Sequence, residues 1–185
     1  MAEIGRLNSL EILHHTPQGF YLDGAEHGEI LLPSRYVTDS MKEGNMITVF
    51  IYRDSEDRLI ASTDRPKAIV GEFAGLKVTS VHPNVGAFLD WGLPKDLLLP
   101  YREQTKPVRK DQIIVVRIIL DPTSERLVAS ARLNRWLEKQ APRYRRGQSV
   151  RLLISERTPM GLNALINESH VGLLYRDPSI AHLDP

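Results

Sequence analysis

Phe88 and Trp91 stand three residues apart in an apolar run, and Lys95 follows four residues later. Tyr21 sits in a similar run nearer the N-terminus, and Arg143-Tyr144-Arg145-Arg146 sets one ring among three guanidinium groups. Aromatic faces stack on unpaired bases while Lys and Arg pair with phosphates, so these residue types together suit single-stranded nucleic acid. Arg117 and Arg132 extend the basic set. Each candidate has a plainer reading: a ring in an apolar strand packs the core, Lys95 beside Asp96 is a turn residue, and the basic tetrapeptide is a solvated linker. Alternation along a strand would turn Phe88 and Trp91 to opposite faces, so one of the two belongs to a core; Trp91 stands at the turn, either exposed or capping the barrel.

Other chemistries find little to rest on. The chain has no cysteine, which removes disulfides, thiolate catalysis and cysteine-ligated zinc. Its six histidines lack ligand spacing, and His14-His15 would point to both faces of a strand. No phosphate loop, nucleophile elbow or spaced carboxylate pair is present. The expectation is no catalytic residue, no metal and no cofactor. No apolar run approaches the ~18 residues of a membrane span, and the first residues do not read as a signal peptide, so the expected compartment is the cytoplasm.

The elements that must position these residues repeat. Gly86-Ala87-Phe88-Leu89-Asp90, leading to Leu97-Leu98-Leu99-Pro100, is echoed by Gly19-Phe20-Tyr21-Leu22-Asp23 with Glu29-Ile30-Leu31-Leu32-Pro33. A weaker echo is Gly161 to Ile166 with Gly172-Leu173-Leu174-Tyr175. The entry glycines are 67 and 75 residues apart. Arg58-Leu59-Ile60-Ala61-Ser62 matches Arg126-Leu127-Val128-Ala129-Ser130, so the duplication covers a whole unit. The first two units read as five strands each, at Gly5–Leu13, Gly19–Leu22, Glu29–Leu32, Met46–Arg53 and Leu59–Thr63, then Glu72–Val81, Phe88–Trp91, Leu97–Leu99, Gln112–Leu120 and Arg126–Arg132. A short helix is expected over Asn134–Gln140, broken by Pro142. The third unit has strands at Ser149–Glu156, Leu162–Asn167 and Val171–Tyr175, and then too little chain for two more. A fragment of a longer protein is the favoured explanation, completion on a partner chain the other.

The fold expected is therefore all-β: tandem five-stranded barrels over 1–66 and 67–138, and an incomplete third over 139–185. The layout is that of an OB fold, with an SH3-like barrel as competitor. The net charge of +1 conceals an asymmetry. Residues 1–66 hold 6 Lys/Arg and 11 Asp/Glu, whereas residues 101–157 hold 14 and 6. A basic middle between acidic ends suits a polyanion, or two oppositely charged domains docked together.

The second unit resembles the ribosomal S1-like RNA-binding domain. Through Asp90-Trp91-Gly92-Leu93-Pro94-Lys95-Asp96-Leu97-Leu98, Glu103-Gln104 and the third-unit glycine runs, the chain resembles the conserved virulence factor B family. The resemblance implies tandem S1-like barrels that bind single-stranded RNA in post-transcriptional regulation, without a catalytic step. It sets Phe88 and Tyr21 at a ring position of the second strand. Other positions depart from the S1-like pattern: Val85 and Gln18 replace the other ring, Pro100 replaces a histidine, and Asn163 stands where Phe88 does. The alternative function is a protein-interaction scaffold whose barrels no longer bind nucleic acid, with a protein partner in place of RNA.

Overall fold

The computed structural model describes residues 2–180, 182 and 183. Within them the regular structure is strands and single 3₁₀ turns. In the first unit the strands are β1 (Leu7–Thr16), β2 (Gly19–Asp23), β3 (Glu29–Pro33), β4 (Met46–Arg53) and β5 (Leu59–Ser62). They close in the order β1-β2-β3-β5-β4. The first strand pairs antiparallel with both the second and the fourth, while β3 runs parallel to β5 with Leu31 opposite Ile60. That crossover is the OB arrangement and sets aside the SH3-like competitor. Alternation explains the closure: Leu10, Ile12, Phe20, Leu22, Ile30, Leu32, Val49 and Ile51 all point into one cluster.

The second barrel repeats the first. Its strands are β6 (Phe73–His82), β7 (Gly86–Asp90), β8 (Leu97–Pro100), β9 (Ile113–Leu120) and β10 (Leu127–Ser130), in the order β10-β8-β7-β6-β9. Leu76, Val78, Leu89, Leu99, Val116 and Ile118 are fully or almost fully buried. A three-stranded antiparallel sheet follows: β11 (Leu152–Thr158), β12 (Gly161–Ile166) and β13 (His170–Tyr175). Leu153 and Leu165 of this sheet pack with Phe73, Val115, Leu133 and Leu137.

The sequence-derived strands lie within three residues of these bounds. The helix expected over Asn134–Gln140 is corrected: the chain makes only a 3₁₀ turn at Leu133–Arg135. Seven residues before a proline give few i→i+4 bonds to offset the cost of helix nucleation. Tertiary contacts claim the segment instead, with Leu137 in the apolar cluster and the Glu138 amide donating to the Ser169 carbonyl at 2.8 Å. Among the described residues no helix is long and apolar enough to cross a membrane.

By contact density the chain separates into two compact units that do not follow the repeat boundaries. One holds Met1–Val70 with Trp91–Leu97 and Ile119–Val128; the other holds Gly71–Asp90, Leu98–Ile118 and Ala129–Pro185.

Candidate nucleic-acid interface

The second strand of each sheet is built the same way. Gly86 enters β7 at φ +139°, and a Cβ there would collide with the Leu99 carbonyl on β8. Gly19 and Gly161 hold the equivalent places against the carbonyls of Leu32 and Leu174. Two residues on, the third side chain of each strand turns outward and is half-buried: Tyr21, Phe88 and Asn163. The preceding strand carries an irregularity in register beside this position in all three sheets, between Ile12 and His14, Val78 and Ser80, and Ile154 and Glu156. At two of them a hydroxyl fixes the outward residue's backbone. Thr79 donates to the Phe88 carbonyl and Ser155 to the Asn163 carbonyl, both at 3.1 Å. Such a bulge re-aims a strand locally and commonly borders a functional face.

Tyr21 is partly occupied. Its ring stacks on His14, with centroids 5.0 Å apart and planes inclined by 18°, and His14 in turn meets Glu29 at 2.9 Å. Phe88 keeps a half-open ring.

Trp91 is not an exposed ring, and Lys95 is engaged by the backbone. Trp91 is 2% exposed, with its ring edge-on to Phe50 and Tyr52 at 5.7 and 6.3 Å. Its indole Nε1–H donates to the Lys95 carbonyl at 2.6 Å. No ring face is left for a base. The Lys95 ammonium donates to the carbonyls of Arg53 and Asp54 at 3.0 and 2.7 Å. Burial, reinforced by Arg126, lowers its pKa, against the opposing pull of Asp54 and Asp57. The Asp-Trp-Gly-Leu-Pro-Lys-Asp run therefore works here as a packing clasp.

Burial also pushes the Tyr52 hydroxyl up to about 12, with neighbouring Tyr36 adding to the effect. An acid whose folded pKa is raised binds its proton longer folded than unfolded, so stability falls as pH climbs from about 10 to about 12. Two units correspond to roughly 2–3 kcal/mol. Tyr52→Phe is expected to flatten this alkaline loss in urea melts at pH 9, 10 and 11. An unchanged pH slope would remove Tyr52 as its source.

The basic surplus thins once pairings are counted. Arg117 lies between two rings, 5.0 Å from Phe73 and 4.9 Å from Trp136. Arg126 pairs with Asp57 at 2.9 Å, which lowers the Asp57 pKa. Lys106 pairs with Glu156. Arg132 donates through Nε to the Arg102 carbonyl at 2.7 Å. Arg135 reaches Glu103 at 3.4 Å, whose carboxylate is buried and accepts the Ser130 hydroxyl at 2.6 Å. Tyr144 is docked: its hydroxyl meets His170 Nδ1 at 3.1 Å. Arg143, Arg145 and Arg146 flank it, exposed, with no side-chain partner among the described residues.

Within the second compact unit a cleft of about 510 Å³ opens over the outward face of the third sheet. Arg132, Arg135, Ser155 and Asn163 line it. Asn163 was legible in sequence as a missing ring. The cleft was not, because Ile114, Leu133 and Val171 come to its wall from three distant stretches of chain. Trp136, 41% exposed on the Arg117 guanidinium, was also missed, and no local pattern marks it. No cluster of His, Asp or Glu able to hold a metal occurs among the described residues.

Comparison with known proteins agrees with this architecture. Residues 4–64 match the S1 domain family model. The chain is 32% identical over 114 residues to YitL of Bacillus subtilis (strain 168), an uncharacterized protein, covering 59% of this chain and 38% of that one. It is 24% identical over 119 residues to conserved virulence factor B of Staphylococcus saprophyticus, covering 60% and 40%. The matches thus span about two fifths of these relatives' length. A crystal structure of a multidomain protein with nucleic acid binding domains from Streptococcus pneumoniae TIGR4 shares the fold, with a TM-score of 0.62 at 18% identity over 98% of this chain and 65% of that one. The similarity to the conserved virulence factor B family read from the motifs is found in these matches.

Proposed function

We propose that this chain, an array of OB barrels whose first matches the S1 domain, binds single-stranded RNA and acts in the cytoplasm on transcripts after their synthesis. The observation that carries the reading is the outward ring at one equivalent place in both barrels, Tyr21 and Phe88, beside a strand irregularity. S1-type barrels use their second and third strands as a binding surface, and a ring there stacks any base. The exposed Arg143, Arg145 and Arg146 supply phosphate contacts that need no existing ion pair to break. The match to the S1 domain supports a binding role. Tyr144 contributes by holding this cluster against the third sheet through His170.

The test is fluorescence anisotropy with labelled RNA homopolymers over a salt series. Affinity should fall steeply with salt, since each neutralised phosphate of a single strand contributes about −0.7 to the log–log slope. Replacing Arg143, Arg145 and Arg146 together by Ala should reduce that slope by about 2. Phe88→Ala should weaken binding by about 1–3 kcal/mol for the base it stacks. No binding at low salt would overturn the reading. It would favour a protein-interaction scaffold, the reading to which the burial of Trp91 lends weight.

A further inference from the structure

We infer that the cleft over the third sheet is a nucleotide subsite in which Asn163 reads a base edge and Arg132 and Arg135 hold its phosphate. The inference deepens the RNA-binding reading and rests on it for its ligand. In β2 and β7 the outward residue is a ring, whereas in β12 the same place is an amide. An amide cannot stack as a ring does, but it presents one acceptor and two donors side by side. That pattern matches the donor–acceptor edges of bases splayed out of a single strand. The Asn163 backbone is occupied, its carbonyl accepting from Ser155 at 3.1 Å. Its side-chain amide has no hydrogen-bond partner among the described residues and opens into the cleft.

The walls suit the rest of a nucleotide. A volume of about 510 Å³ lies in the range of small-molecule sites. Ile114, Val115 and Leu133 give an apolar surface for the flat base. On the charge side, Lys106 is balanced by Glu156 and Arg135 loosely by Glu103, while Arg132 has no carboxylate partner among the described residues. One positive charge in excess, carried on a guanidinium, fits a single phosphate. Asparagine pairs most readily with adenine, whose amino donor lies beside a ring-nitrogen acceptor, so adenine is the expected preference.

The experiment is an NMR titration of the labelled full chain with each of the four 5′-mononucleotides, with inorganic phosphate, and with four homopolymeric RNA decamers. The Asn163 side-chain amide and the Arg132 and Arg135 guanidinium signals should move with adenosine monophosphate and oligo-A. The amide should not move with phosphate alone. Asn163→Ala should reduce the preference for oligo-A over the other decamers by about 5-fold or more while leaving the weaker ones bound as before. Arg132→Ala should weaken all four similarly and lower the salt slope by about 0.7.

If the decamers bind elsewhere and none of these signals moves with any probe, the cleft is not a subsite and the RNA reading stands. If only mononucleotides move them and no decamer binds, the subsite stands and the RNA reading falls. Equal shifts with phosphate and nucleotides, or an unchanged decamer preference in Asn163→Ala, would overturn base reading by Asn163. Arg135→Ala provides a second variant should Arg132→Ala unfold on losing its bond to the Arg102 carbonyl.

Discussion

Trp91→Ala should destabilise the protein by about 3–5 kcal/mol, the usual cost of emptying a buried large aromatic site. The ring lies edge-on to Phe50 and Tyr52, which are buried on the face of β4 opposite the inward Val49 and Ile51, and its loss would strip the cover from both rings. The indole also donates to the Lys95 carbonyl, and Lys95 in turn holds the carbonyls of Arg53 and Asp54. Trp91→Phe separates the two contributions. It keeps most of the packing and removes the donor, so its cost should be nearer 1–3 kcal/mol, that of a buried acceptor left unpaired. Chemical denaturation followed by circular dichroism gives both values. A Trp91→Ala protein as stable as the parent, with RNA affinity reduced, would return Trp91 to the binding face.

Gly86→Ala should cost about 3 kcal/mol or more. Two penalties coincide there. The backbone at φ +139° lies where a side chain is strained by about 1–3 kcal/mol. The added Cβ would also strike the Leu99 carbonyl, part of a barrel strand with little room to retreat. Gly75→Ala in the adjacent strand is the control. Its backbone is not in the left-handed region, and its Cβ would meet only Ile113 Cγ2 at 3.4 Å, so a change within about 0.5 kcal/mol is expected. Equal effects of the two substitutions would show that the close approach of β7 and β8 does not set the requirement for glycine.

That glycine was readable before any coordinates. Its recurrence at 19, 86 and 161 announced three copies of one strand entry, while alternation along Met46–Arg53 and the Ile- and Val-rich run within Gln112–Leu120 gave strands with sound ends. Strand order was not readable, because the parallel β3–β5 pair depends on a crossover that leaves no local trace. Within the site, the outward setting of Phe88 came from its place at the aromatic position of the S1-like pattern, and the side chain is half-buried between two buried neighbours. Trp91 and Lys95 could not be judged the same way. Both lie in a loop where alternation no longer operates, and their partners Phe50, Tyr52, Arg53 and Asp54 are about forty residues away in sequence. The basic stretch showed the same limit. Charge counts the side chains, but only geometry shows that Arg117 is held between Phe73 and Trp136 while Arg143 is free of partners among the described residues.

The assignment of Trp91–Leu97 and Ile119–Val128 to the compact unit of the first barrel bears on how such a protein can be dissected. Cutting after residue 66, where the repeat would suggest, removes the indole that covers Phe50 and Tyr52 and the guanidinium that answers Asp57. The excised piece would carry a bare aromatic patch and aggregate. Shuffling barrels between relatives at repeat boundaries would meet the same obstacle: the first barrel has to travel with the strips of chain at 91–97 and 119–128, so the unit of domain exchange is not the repeat.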